Sequence, residues 1–213
     1  MGIVQAVEKF VKERLEGAEP GHDWSHTDRV RKLAGSIRSE EGSGDPLVIE
    51  LAALLHDISD AKFNDGDEEL GGKIAYEFLT DQGLDDERAS HVRSIVLHIS
   101  FKGGVPQDQI DTPEFRIVQD ADRLDAMGAV GIARAFSYGG FRNRPMYDPS
   151  VPLKEYRNIS EYRSSRAPTL HHFYEKLLLL KERMNTETGR RLAGERHRFM
   201  EEFLEQFRRE CGL

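Results

Sequence analysis

Residues 46–55, Pro-Leu-Val-Ile-Glu-Leu-Ala-Ala-Leu-Leu, are apolar on nearly every side of a helix. Only a helix enclosed by other elements tolerates that pattern. The run ends in His56-Asp57, which places two strongly polar side chains at the edge of the most apolar part of the chain. An unpaired buried charge is costly enough that the group finds partners or neutralises itself. A fold built on this sequence therefore has to surround residues 46–55 and also bring polar groups to positions 56 and 57.

The surrounding segments carry helical periodicity, and alternating strand patterns are nearly absent. Residues 3–16 set Ile3, Val7, Phe10, Val11 and Leu15 on one face; residues 23–40 do the same with His26, Val30, Leu33 and Ile37. The central helix is expected over 46–58, a fourth over 67–82 with Leu70, Ile74, Tyr76 and Phe78, and a fifth over 85–99 with Val92, Ile95, Val96 and Ile99. Asp111-Thr112-Pro113-Glu114 is a helix start, a cap residue followed by proline, and the pattern continues past Leu124 toward Phe136. Residues 139–168 read as irregular, with Gly139-Gly140 and prolines at 145, 149, 152 and 168. Two helices, 169–184 and 187–210, close the chain. The expected class is all-α, a single domain over 1–213 with its core at about 20–137, a lid-like loop at 139–168 and a C-terminal helical pair at 169–211.

Composition narrows the function classes. A formal net charge of −8 over 213 residues argues against general nucleic-acid binding, which runs on Lys and Arg meeting phosphates. Cys211 is the single cysteine, which leaves no intrachain disulfide and no thiolate metal site and suits a reducing, cytoplasmic setting. The N-terminus is charged too early for a signal sequence, and no run approaches the roughly 20 apolar residues of a membrane span. The charged C-terminal helix suits either solvent or a twin chain, so a homo-oligomer stays open.

Two further polar residues sit on apolar stripes: His26 in the series 26, 30, 33, 37, and Asp122 in the series 115, 118, 122, 125. A stripe histidine alone is more often an ordinary core residue. Together with His56 and Asp57, however, the set is two imidazoles and two carboxylates without sulfur, a borderline-to-hard donor group. Four N/O donors with room for water suit an octahedral ion better than a closed structural zinc site. The expected cofactor is one divalent ion, Mn²⁺ first, with Fe²⁺, Co²⁺, Ni²⁺ or Mg²⁺ as alternatives.

His26, then Leu54-Leu55-His56-Asp57, then Asp122 within Gln119-Asp-Ala-Asp-Arg-Leu-Asp125 resemble the H…HD…D signature of the HD-domain metal-dependent phosphohydrolases. Gly21-His-Asp-Trp-Ser-His-Thr-Asp-Arg-Val30, His98-Ile-Ser-Phe-Lys-Gly103 and Asn185-Thr-Glu-Thr188 are similar to its bacterial YpgQ/YedJ-like branch. The resemblance runs from about residue 20 to the C-terminus. It implies a helical bundle with His26, His56, Asp57 and Asp122 holding the ion between helices. The implied activity is cleavage of a (deoxy)nucleoside triphosphate to monophosphate and pyrophosphate, by attack of a water activated on the ion.

Asp60, at the acidic position of the HD-x-x-[E/D] pattern, is the expected catalytic residue, orienting that water or handling its proton. Lys62 and Arg29 are candidate phosphate contacts. His91 and His98, seven residues apart and so on one helix face, are candidate substrate contacts or packing residues. Asp125, one turn after Asp122, reads equally as a supporting group or a salt bridge, and Arg123 is a weaker candidate. Within 139–168, Arg142, Arg144, Lys154, Arg157, Arg163 and Arg166 interleave with Phe141, Tyr147, Tyr156 and Tyr162, a composition suited to a lid over a triphosphate or to a solvated loop. Alternatives from other classes remain: a nucleoside monophosphate phosphatase or cyclic-nucleotide phosphodiesterase, a di-iron oxygenase, and a non-catalytic nucleotide-sensing module.

Overall fold

In a computed structural model, which describes residues 2–17, 21, 23–58, 69–99, 110–154 and 166–212, the apolar run forms helix α3, Pro46–Leu55. Asp45 caps it, its Oδ1 accepting the Leu47 and Val48 amides at 2.8 and 3.4 Å. Pro46 follows at the first helical position, where its missing N–H costs nothing. Val48, Ile49 and Leu51 through Leu55 are all buried. The helices that enclose it are α1 (Ile3–Arg14), α2 (Trp24–Glu41) and α5 (Asp86–His98), with α4 (Leu70–Asp81) packed on α5. Phe10 stacks on Phe78 with ring centroids 4.0 Å apart, joining α1 to α4. Arg31 links α1, α2 and α3, bonding Glu8 at 2.5 Å, Asp28 at 2.8 Å and Glu50 at 3.4 Å.

Helix α6, Pro113–Asp125, follows the residues expected to start it. The backbone contacts of the chain cluster into two units, Met1–Ala121 and Asp122–Leu213, and the boundary falls inside this uninterrupted helix. The expected continuation toward Phe136 does not hold. The chain turns after Asp125, with Ala126 and Met127 bonding back to Arg123 and Leu124. A separate helix α7 runs over Gly128–Phe141. The cause is Gly128, at φ +69° with the Arg196 stem 3.1 Å from where a Cβ would stand, a conformation an L side chain pays strain to adopt.

The second unit is built from α7, a short α8 (His171–Glu175), a 3₁₀ segment Leu177–Arg183, and α9 (Glu187–Cys211). The single helix expected over 169–184 is broken at Lys176, whose φ of −141° is not helical. The 3₁₀ turn that follows repeats every three residues, which puts Leu177 and Leu180 on one buried face. Helix α9 starts with the Thr186 hydroxyl accepting the Gly189 amide at 2.9 Å, a side-chain cap of the usual kind. Phe136, Phe173, Phe203 and Phe207 form the aromatic core of this unit, with neighbouring centroids 5.8–6.0 Å apart.

The irregular segment starts later than expected, because α7 persists through Phe141. It ends in a Schellman turn: Asn143 takes φ +52°, its amide bonds Gly140 O at 3.0 Å, and the Arg144 amide bonds Gly139 O at 2.8 Å. Two backbone bonds, Thr169 N to Pro145 O (2.9 Å) and Leu170 N to Met146 O (3.0 Å), then join the two ends of the intervening stretch. Arg157, Arg163, Tyr156 and Tyr162 lie outside the described residues. No strand occurs among the described residues, and none of their helices is long and apolar enough to cross a membrane.

Candidate metal centre

Helix α2 places His26 by its cap. Asp23 accepts the His26 amide at 2.9 Å, ending the preceding turn so that His26 falls in the first turn on the inward face. Its side chain is 1% exposed. Helix α3 delivers His56 at its C-terminal end, 6% exposed. The two Nε2 atoms stand 3.1 Å apart, with the rings edge to face.

The protonation of His56 follows from its other nitrogen. Nδ1 lies 2.8 Å from the Ala53 carbonyl, which can only accept, so Nδ1 carries a proton. In the neutral ring Nε2 then presents a lone pair toward His26. This backbone-to-imidazole bond is the usual way a ligating histidine is held in one tautomer. Asp122, on α6, contributes a carboxylate: ligand atoms of His26, His56 and Asp122 all lie within 4.8 Å of one another. Asp57 stands beside them, its Oδ2 3.7 Å from His26 Nε2.

This arrangement suits a cation. Two buried imidazole nitrogens at 3.1 Å match adjacent donors of an ion that holds each at about 2.0–2.1 Å. The carboxylates supply the negative charge a divalent ion requires, and a sulfur-free set favours ions that accept nitrogen and oxygen.

The other residues singled out from the sequence are placed as follows. Arg29 is half-buried one turn beyond His26 on α2. His98, at the end of α5, donates from Nδ1 to the Ser94 carbonyl at 2.7 Å. His91 lies on the same helix. Its Nε2 is 3.0 Å from the Thr112 hydroxyl and 3.8 Å from Glu114 Oε2, at the start of α6. Asp122 lies ten residues further along, about 15 Å at helical rise. Asp125 bonds Arg134 at 2.8 Å in a buried ion pair. The Arg123 guanidinium donates to the Arg183 carbonyl. Asp60 and Lys62 lie outside the described residues.

One carboxylate in this region was not anticipated. Asp120 is 0% exposed. Reading α6 as a single stripe through 115, 118, 122 and 125 hides it, because Ile117, Gln119, Ala121 and Leu124 are buried too and the helix is enclosed nearly all round. A count of apolar residues off the stripe would have exposed the second buried face.

Paired histidines and a carboxylate converging from three helices form a candidate divalent-metal site, and comparison with known proteins gives the class. A family model described as "HD domain" matches residues 23–127. YpgQ of Bacillus subtilis is 38% identical over 208 residues, covering 97% of this chain and 92% of the relative. A crystal structure of an HD-superfamily hydrolase from Bacillus thuringiensis is 41% identical, with a TM-score of 0.75 over 98% of this chain and 96% of the other. The crystal structure of Bacillus subtilis YpgQ in complex with ADP superposes with a TM-score of 0.76 at 35% identity, covering 97% of each chain. This chain belongs to the HD-domain family and is an HD-superfamily hydrolase, a metal-dependent phosphohydrolase in the general sense.

Proposed function

We propose that the protein hydrolyses nucleotides, converting a (deoxy)nucleoside triphosphate to its monophosphate and pyrophosphate. The observation that carries this reading is the buried His26–His56 pair at 3.1 Å with the Asp122 carboxylate beside it, in a chain that resembles a protein crystallised with ADP over nearly its whole length. In this reading His26, His56, Asp57 and Asp122 hold one divalent ion, Mn²⁺ by preference. When bound, the ion supplies Lewis acidity toward a phosphoryl oxygen and makes a water more acidic.

The remaining work falls to the protein. His56 is kept in its Nδ1–H form by Ala53, so its ligand nitrogen is ready without a proton shift. Asp60 takes the proton of the attacking water. Lys62, Arg29 and His98 neutralise and position the phosphates, which is most of what phosphoryl transfer asks of a protein. His91, whose Nε2 lies 3.0 Å from the Thr112 hydroxyl, is a further candidate contact for the substrate. The basic, aromatic composition of 139–168 suits contact with the triphosphate.

The test is product analysis. The purified chain is incubated with a panel of nucleoside and deoxynucleoside triphosphates and Mn²⁺, Co²⁺, Ni²⁺ or Mg²⁺. Pyrophosphate with the matching monophosphate is the expected outcome. Orthophosphate release, or turnover of monophosphates or cyclic nucleotides alone, would overturn the pyrophosphohydrolase reading. His56→Ala should abolish turnover while the helical circular-dichroism signal persists, and retained metal-dependent hydrolysis in that variant would refute the metal assignment.

A further inference from the structure

We propose that Glu114 is a positioning residue for the metal centre, setting the register of α6 against α3 and so the placement of the Asp122 carboxylate beside His56. The inference rests on the metal-binding reading above.

The two helices meet at their beginnings as well as at their ends. Asp45, the cap of α3, donates its backbone amide to Glu114 Oε1 at 2.7 Å. Glu114 is the second residue of α6 and is 9% exposed. From that tie α3 runs eleven residues to His56 and α6 runs eight residues to Asp122. At helical rise these are spans of about 16 Å and about 12 Å. Both ligands therefore stand at the far ends of two rods pinned together near their starts. Sliding one rod along its axis changes the His56–Asp122 separation directly. Helix α3 takes its close packing from α1, α2 and α5, so the Asp45–Glu114 bond is a specific constraint on its register with α6.

The surroundings hold the carboxylate in one orientation. His91 Nε2 is 3.8 Å from Glu114 Oε2 and 3.0 Å from the Thr112 hydroxyl, and that hydroxyl in turn accepts the Phe115 amide at 3.3 Å. On the other side Gly44 closes in at φ +87°. A Cβ there would meet Ile49 Cδ1 at 2.9 Å and Glu114 Oε1 at 3.4 Å. Arg88 bonds the Asp45 carboxylate at 2.8 Å, a contact separate from the amide that Glu114 accepts. A carboxylate in the first turn is also favoured by the helix dipole.

The experiment measures Mn²⁺ affinity of the metal-free full chain, by the loss of the free-ion electron paramagnetic resonance signal, beside urea unfolding without metal. Glu114→Ala should raise the dissociation constant at least tenfold. Glu114→Gln, whose amide oxygen can still accept the Asp45 N–H, should stay within twofold of wild type. Arg88→Ala, which weakens the same corner without touching the Glu114 bond, should lower the urea midpoint and leave Mn²⁺ affinity unchanged. Equal losses of affinity in the Glu114→Ala and Arg88→Ala variants would show a merely structural role and overturn the proposal. Should Glu114→Ala fail to fold, Glu114→Asp, one methylene shorter, should weaken Mn²⁺ binding at least threefold with an unchanged helical spectrum; unchanged affinity overturns the proposal. Wild-type protein that binds no Mn²⁺ would overturn the metal reading and this inference together, whereas wild-type binding with unaltered Glu114→Ala affinity overturns this inference alone.

Discussion

Removing the Asp125 carboxylate should cost the second unit about 3 kcal/mol. Its Oδ2 lies 2.8 Å from Arg134 Nη1, with side chains 5% and 19% exposed. At that distance an effective dielectric of 20 gives about 6 kcal/mol of attraction before the cost of leaving water. Breaking a buried pair by deleting one partner typically costs 3–5 kcal/mol, and the partial exposure of Arg134 places this pair at the low end. A second cation adds to the effect. Burial pushes the Arg196 guanidinium below its ordinary value, and Asp125 is the largest influence opposing that shift. The Arg196 guanidinium also donates to the Leu124 carbonyl, so Asp125→Ala leaves two crowded guanidiniums at the C-terminal end of α6. In urea, with a slope of about 2 kcal/mol per molar, the midpoint should fall by about 1.5 M. The Asp125→Ala/Arg134→Ala double variant should lose at least 1 kcal/mol less than the sum of the single losses. A single-variant loss under about 1 kcal/mol, or strict additivity in the double variant, would refute the reasoning.

Three further outcomes are expected. A divalent ion at about a hundred times its dissociation constant should stabilise the wild type by about 2.7 kcal/mol, or about 5–10 °C in Tm for a chain of this size; His56→Ala and Asp122→Asn should lose most of that shift, and its retention in both would count against the assigned donors. Hydrogen bonding from Arg88, followed by the Leu47 and Val48 amides, holds the Asp45 carboxyl below its ordinary 3.8, with burial opposing. A depressed folded-state value means the stabilisation is present above the unfolded value and is lost as pH falls through the folded one. Urea stabilities of wild type and Asp45→Asn should accordingly converge below pH 3.8, and a constant difference down to pH 2 would contradict this. Gly128→Ala, which forces a Cβ onto a φ of +69° against the Arg196 stem, should destabilise by about 1–2 kcal/mol in thermal unfolding, and a neutral result would remove the glycine as the cause of the break before α7.

The sequence pattern was sufficient where one physical requirement acted alone. The apolar run at 46–55 had to be enclosed, and Val48, Ile49 and Leu51 through Leu55 are buried. His26 and Asp122 stood out because a polar group on an apolar stripe is conspicuous, and their ligand atoms do lie close to those of His56. Periodicity failed where local geometry, which it does not record, decided the outcome. The helix expected to run from 113 toward Phe136 breaks because Gly128 adopts a left-handed conformation beside Arg196, a residue nearly seventy positions away. The leucines at 177–180 fit an α-helical stripe as well as a 3₁₀ one, and only packing chose between them. Asp120 and Glu114 were passed over because each sits in what reads as an ordinary polar position, and only tertiary burial distinguishes them.

The paired amide-to-carbonyl bonds between Pro145–Met146 and Thr169–Leu170 have a consequence for how this protein can change. Because the backbone at Pro145–Met146 bonds the backbone at Thr169–Leu170, the two ends of the intervening stretch are tied together whatever its length. Lengthening such a tethered excursion adds little closure entropy, only about 0.6 kcal/mol per doubling. Mutation can remodel it, or a homologous stretch can be grafted in whole, while α7 and α9 keep their places. Selectivity could in that way diverge among relatives that share one helical frame.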